Sequence, residues 1–164
     1  LINDVRALQR EGAVHAAAQT KLPVCLMHMQ GQPSTMQQNP QYQSVIDEVM
    51  SFLQQRIECC LHAGIPAEQL LIDVGFGFGK TLAHNLELLA KLELFAQLPY
   101  PLLAGMSRKT MLGKILNDAP VDQRLFAGLS AAVIAAMKGA KIIRTHDVKA
   151  TKEALAVVNA VQYY

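Results

Sequence analysis

Five short apolar runs recur along the chain, each followed by a segment with helical spacing. The runs lie at 1–2, 23–27, 70–72, 101–104 and 141–143. None alternates polar with apolar residues, so each predicts a strand buried on both faces of a sheet. Pro23, Pro101 and Gly139 punctuate the chain just before three of them. The helical segments are expected at 10–20, 43–63, 82–97, 122–138 and 151–161. In the longest, Val45, Ile46, Val49, Phe52, Leu53 and Ile57 share one face, and Gly64 supplies its stop. Asp122 is the expected N-cap of the fourth. Strand then helix, five times over, predicts a parallel α/β sheet with helical crossovers. A complete (β/α)8 barrel takes ~250 residues, roughly 30 per unit, so this length suits five units. An open, doubly wound sheet of five strands fits the same periodicity.

The composition narrows the function classes. About half of the 164 residues are apolar and 17% are charged, as in a folded domain. The formal charge is +2 with no basic run, which argues against a nucleic-acid partner. No apolar stretch reaches membrane-spanning length. Cys25 sits in an apolar run, and Cys59 and Cys60 are adjacent on a helix, so no disulfide framework or metal-binding Cys pair is expected. A reduced, cytoplasmic compartment follows. The opening Leu1-Ile2-Asn3-Asp4-Val5 reads as the middle of a strand, and the natural chain is expected to extend further upstream.

Each strand run leads into polar residues: Asn3 and Asp4, then His28, then Asp73, then Ser107-Arg108-Lys109, then Arg144, His146 and Asp147. Parallel α/β folds place their ligand sites at the C-terminal ends of the strands, so the set predicts one polar rim. A carboxylate such as Asp73 at a buried strand end requires a partner. A planar, guanidine-like edge provides one with two parallel hydrogen bonds. Asn3 both donates and accepts, which suits a heterocycle of mixed edges. After Asp73, Gly75-Phe76-Gly77-Phe78-Gly79-Lys80 allows a sharp turn and close backbone approach, with two phenylalanines available to wall a flat ring or to enter the core. This turn is neither a Walker loop, since residue 74 is Val, nor a dinucleotide G-x-G-x-x-G. Ser107-Arg108-Lys109 opens a helix-like segment, and a hydroxyl, two cations and free N–H groups there make an anion site. Arg144 and His146, two apart, share a side if strand geometry persists, and together suit a phosphate or diphosphate. For His28 and His146 a purely structural role stands beside the functional one.

Five segments carry a likeness to a known family: 2–5, 23–31, 73–80, 105–109 and 144–148. In that order and spacing the chain resembles dihydropteroate synthase, a (β/α)8 TIM-barrel enzyme, represented over 1–164 by the last five β/α units of its single pterin-binding domain. The resemblance implies condensation of p-aminobenzoate with 6-hydroxymethyl-7,8-dihydropterin diphosphate, releasing diphosphate. It implies pterin binding by Asn3, Asp73 and Met27, with Lys109 between the pterin and the aminobenzoate. Asp73 and Lys109 would be the catalytic pair. Ser107 and Phe78 would line the aminobenzoate site, the target of sulfonamides, and Arg144 and His146 would hold the diphosphate. Magnesium is the implied cofactor, with its ligand in upstream strands that also carry a second pterin-binding Asp and two mobile loops. No metal ligand is assigned within this chain. A homodimer through the C-terminal helices is implied. The expectation is that these residues alone bind weakly, catalyse little and self-associate. Val74 departs from the family's usual Pro, and the segment 124–131 departs from its small-residue pattern. A methyltetrahydrofolate-binding methyltransferase domain shares the pterin-binding Asp and Asn. Schiff-base chemistry by Lys109 and a non-catalytic barrel fragment are two more readings that these residues allow.

Overall fold

The computed structural model describes residues 1–32 and 35–162. Its strands are β1 (Ile2–Asp4), β2 (Val24–Met27), β3 (Leu70–Asp73), β4 (Leu102–Ala104) and β5 (Ile142–Ile143). All four pairings are parallel, and the order across the sheet is β1-β2-β3-β4-β5. That order decides between the two architectures the periodicity allowed. A doubly wound sheet reverses direction at a switch point. Here each crossover steps to the next strand on the same side, as in a barrel wall.

The register sorts the side chains onto two faces. Cys25 pairs with Leu71, Asp73 with Leu103, and Leu103 with Ile142. With alternation along each strand, Asn3, Cys25, Met27, Leu71, Asp73, Leu103 and Ile142 lie on one face. Cys25, Leu71, Leu103 and Ile142 form a small apolar cluster of their own there. The opposite face carries Val24, Leu26, Leu70, Ile72, Leu102 and Ala104, which join the main core beneath the helices.

The helices are α1 (Ala13–Thr20), α2 (Val45–His62), α3 (Leu82–Ala90), α4 (Glu93–Ala96), α5 (Thr110–Ile115), α6 (Leu125–Met137) and α7 (Val148–Gln162). Ser44 caps α2: its hydroxyl accepts from the Asp47 amide, an arrangement worth roughly 1 kcal/mol. Three expectations need correction. The segment 82–97 is not one helix. It breaks after Ala90, and Leu92 and Phe95 are both fully buried across the break, so burying both outweighs an uninterrupted backbone ladder. Asp122 does not cap the following helix, because it sits inside a 3-10 turn, Val121–Gln123. α6 begins at Leu125 with Arg124 at its N-cap and no side-chain cap. The last helix starts at Val148, three residues before the expected position. The sequence reading also missed a capping box on α3, where Thr81 and His84 satisfy each other's backbone amides.

Candidate active site

Asp73 stands at the end of β3 and is 1% exposed. Its Oδ1 accepts from the Gly75 amide at 2.7 Å. Its Oδ2 is buried and has no hydrogen-bond partner. Arg144 Nη2 lies 3.8 Å from that oxygen, close enough for attraction but beyond hydrogen-bond range. Burial pushes the Asp73 carboxyl above the ordinary range, against the Gly75 hydrogen bond and the nearby cations. A buried acceptor left open is costly, and one aimed at a polar rim is a ligand contact in waiting. Val74 is fully buried, so Val in place of Pro leaves the Asp73–Gly75 turn closed.

Met27 pairs in register with Asp73 and is buried beside it. Asn3 is on the same face, exposed on β1. Lys109 reaches the site from the loop after β4. Its Nζ donates to the Phe76 carbonyl and sits 4.7 Å from the Phe78 ring centroid. Burial lowers its pKa to about 8, and Asp73 opposes that shift. Arg144 enters from the end of β5, close over Gly105. A Cβ at Gly105 would come within 2.7 Å of the Arg144 guanidinium, so glycine is what lets the guanidinium lie there. Asp73, Met27, Asn3, Lys109, Phe78 and Arg144 therefore converge at one end of the sheet.

Ser107 and His146 form a pair of their own. The Ser107 Oγ accepts from the His146 amide at 3.2 Å and lies 3.1 Å from His146 Nδ1. The strand ends at Ile143, so the period-two argument that set Arg144 and His146 on one side does not extend to residue 146. The hydroxyl of Ser107 holds His146 instead.

Other expected rim residues turn away. His28 is on the opposite face of β2 from Met27. It is buried, with its ring edge-on to Phe52 at 4.9 Å and its Nδ1 2.9 Å from Lys80 Nζ. Burial first, then the neighbouring Lys80, hold its pKa down to about 3. It is a core histidine. Asp4 closes the turn after β1 by accepting from the Leu8 amide at 2.6 Å. Arg108 is not a free cation for an anion: its guanidinium forms a two-point pair with Asp147, at 2.5 and 3.1 Å. Arg124 in turn donates to the Arg108 carbonyl. Of the two phenylalanines, Phe76 is fully buried in the core, and Phe78 alone borders the site.

Two residues here were not anticipated. Lys80, 3% exposed, and Asn85, 2% exposed, are both buried and polar. Asn85 Oδ1 accepts from the Gly77 amide at 2.7 Å. Its signal was a polar residue at the position where α3 turns its apolar stripe inward, since a buried amide there demands partners. A cleft of about 650 Å³ opens beyond Phe78 and Lys109, with Gln37, Asn85, Lys114 and Arg124 along its walls. Asp73, Met27 and Arg144 are outside that lining, so Phe78 and Lys109 divide the cleft from the carboxylate. Among the described residues no group of three or more His, Cys, Asp or Glu is placed to hold a metal ion. Asp4, Asp147 and His28 are engaged by other partners and Asp73 stands as a lone carboxylate beside two cations, so the residues present do not by themselves fit a magnesium centre.

A five-strand parallel sheet with a buried, open carboxylate and two cations at its C-terminal end has the arrangement of a barrel-type α/β enzyme. The chain belongs to the pterin binding enzyme family, which it matches over residues 1–146. It is 55% identical over 160 residues to the dihydropteroate synthase of Haemophilus influenzae, covering 98% of this chain and 58% of that one. A solved structure of Yersinia pestis dihydropteroate synthase with a sulfonamide drug complex superposes with a TM-score of 0.96 at 54% identity, covering 99% of this chain and 59% of that one. The Xanthomonas albilineans enzyme in complex with 7,8-dihydropteroate gives a TM-score of 0.92 at 45% identity, covering 99% of this chain and 61% of that one. The chain thus spans somewhat over half the length of the relatives it matches.

Proposed function

We propose that the protein of which these residues form part is a dihydropteroate synthase. It would join p-aminobenzoate to the methylene carbon of 6-hydroxymethyl-7,8-dihydropterin diphosphate and release diphosphate. The observation that carries this reading is the open Oδ2 of Asp73, facing the same rim as Lys109 and Arg144. A pterin presents an amino-pyrimidinone edge with adjacent N–H donors, the complement of a carboxylate with a free oxygen. Asn3 would meet a second edge of the ring, and Met27 would pack on its face. Lys109, held over Phe78, would donate to the pterin and separate it from the aminobenzoate, with Phe78 and Ser107 on the far side.

The carbon–oxygen bond to diphosphate breaks as negative charge collects on the leaving group, and the aniline nitrogen's lone pair then bonds to the methylene carbon and the nitrogen loses a proton. Arg144 and His146 would stabilise the departing anion. Removing one such contact costs ~2–4 kcal/mol of barrier. Magnesium, held by residues outside this chain, would supply further charge to the diphosphate. The Arg144 guanidinium and His146 imidazole beyond β5 suit a diphosphate leaving group better than methyl transfer, and the names of the relatives agree with it. Lys109 acts here as a donor, not as a Schiff-base nucleophile.

A homodimer formed through α6 and α7 accompanies this reading, supported by apolar side chains both helices leave in solvent, among them Phe126, Met137, Val157 and Val161. A cytoplasmic location is supported by three unpaired cysteines, two of them buried. No helix among the described residues is long and apolar enough to cross a membrane.

The test is fluorescence titration of the chain with 6-hydroxymethylpterin, alongside Asp73→Asn. Saturable binding that Asp73→Asn weakens by about 30-fold, the loss of a hydrogen bond to a charged group, supports the assignment. Equal affinity in both proteins refutes it. Turnover assayed with both substrates and magnesium is expected to be far below that of a full-length relative.

A further inference from the structure

Lys80 is buried beneath the glycine turn, outside every role assigned above. Burial lowers its pKa to about 7, against the attraction of Asp73, and in its ammonium form it has three N–H donors and no acceptor. Here all three find a partner: His28 Nδ1 at 2.9 Å, the Gly75 carbonyl at 3.0 Å and the Phe78 carbonyl at 3.1 Å. Burial keeps the His28 ring neutral, and with its hydrogen on Nε2 its Nδ1 accepts from the Lys80 ammonium. The two carbonyls are the opposite ends of one turn, which the Phe78 amide closes on the Gly75 carbonyl at 3.1 Å. Within that turn the backbone at Gly75 and Gly77 has φ of 70° and 78°, a conformation glycine enters and leaves freely, so the bonds made to the turn fix its shape.

The turn carries what matters downstream. Phe78 hangs from it, and the Phe76 carbonyl within it receives Lys109 Nζ, which also lies over the Phe78 ring. Asp73 meets the turn only at its near end, where Oδ1 accepts from the Gly75 amide, and the β3 ladder holds its backbone. We propose that Lys80 is a positioning residue for the aminobenzoate side of this site, setting through the glycine turn the places of Phe78 and Lys109. This rests on the function proposed above. Lys80 borders the cleft beyond Phe78 but is only 3% exposed, with its Nζ turned to the two turn carbonyls and His28. It acts through the backbone it pins.

Lys80→Met keeps the stem and removes all three donors. Without ligand, amide hydrogen exchange at Gly77 and Phe78 should accelerate about tenfold or more, while α6 amides keep the parent rates. In titrations, affinity for 7,8-dihydropteroate should fall about tenfold. Affinity for 6-hydroxymethylpterin should fall less, by about threefold, because that ligand loses only the Lys109 contact while the larger one also loses Phe78. Unchanged exchange in the turn, or equal losses for the two ligands, overturns the proposal. Lys80→Gln retains two N–H donors and serves if Lys80→Met does not fold; its turn should exchange at rates between parent and Met. If Lys80→Gln also loosens α6 and turn alike, Lys80 is a general folding residue and the proposal fails. If the parent chain binds neither ligand, the proposed function falls, and the exchange measurement by itself decides whether Lys80 fixes the turn.

Discussion

At single residues, burial and charge set opposite demands in this site. Asp73 carries a carboxylate into a place where desolvation raises its pKa, and its open oxygen awaits a donor. His28, on the other face of the sheet, is pushed the other way, to about 3. The histidine predicts a pH effect on stability. Its pKa falls on folding from an ordinary 6.5 to about 3, so between those values the unfolded chain binds more protons. Stability then rises with pH, and the contribution of His28 is complete above 6.5 and lost as pH falls toward 3. Asp73 acts with the opposite sign, since a raised carboxyl pKa favours the fold at low pH. Comparing denaturant unfolding of the parent with His28→Gln across pH 3–7 cancels the Asp73 part. The variant should show the flatter profile, and parallel profiles would mean that His28 titrates normally. Asp73, Asn3, Lys109 and Arg144 were legible in the sequence as polar residues at a strand end or in the loop after it, and Met27 only through the family resemblance. Lys80 and Asn85 were not, because burial of a polar side chain depends on what packs over it.

Among elements, the glycine turn between β3 and α3 is the most constrained. Gly75 has φ 70°, and a Cβ there would sit 1.8 Å from the His28 carbonyl oxygen. Gly75→Ala therefore forces strand β2 or the turn to move. It should destabilise the chain by at least about 2 kcal/mol in urea unfolding. Gly64, also at positive φ but with nothing near a built Cβ, should cost only the conformational penalty on substitution to Ala, about 1 kcal/mol. Equal losses at both sites would remove the argument from close approach. The strands were readable as unbroken apolar runs because both faces of the sheet are covered. Helix limits were less so. The break between α3 and α4 follows from where Leu92 and Phe95 find the core, and Asp122 gave up its capping role because Val121–Gln123 closes into a 3-10 turn first.

For the whole molecule, the order of strands among the described residues leaves β1 and β5 at the two edges, each with one neighbour. Edges of this kind invite pairing with other chains, and α6 and α7 also expose apolar side chains. The proposed dimer uses the helices. Phe126 is 78% and Met137 66% exposed, so Phe126→Glu with Met137→Glu removes no core packing but charges that surface. Sedimentation velocity should show the dimer lost in the double variant, with the far-UV circular dichroism spectrum unchanged. Association that survives both changes would place the contact at the strand edges instead.

By itself the sequence determined what local physics determines: five apolar runs long enough for buried strands, helices between them, and polar residues wherever a strand leaves the core. It also held the family's motifs in their order, because those residue types sit at strand ends that any parallel sheet brings to one rim. Only the tertiary structure decided that successive strands are neighbours, since periodicity is blind to which way a crossover turns. It alone turned Arg108 to Asp147 and His28 to Lys80, and it left one oxygen of Asp73 without a partner. Those outcomes depend on distances between segments dozens of residues apart, which no local pattern encodes.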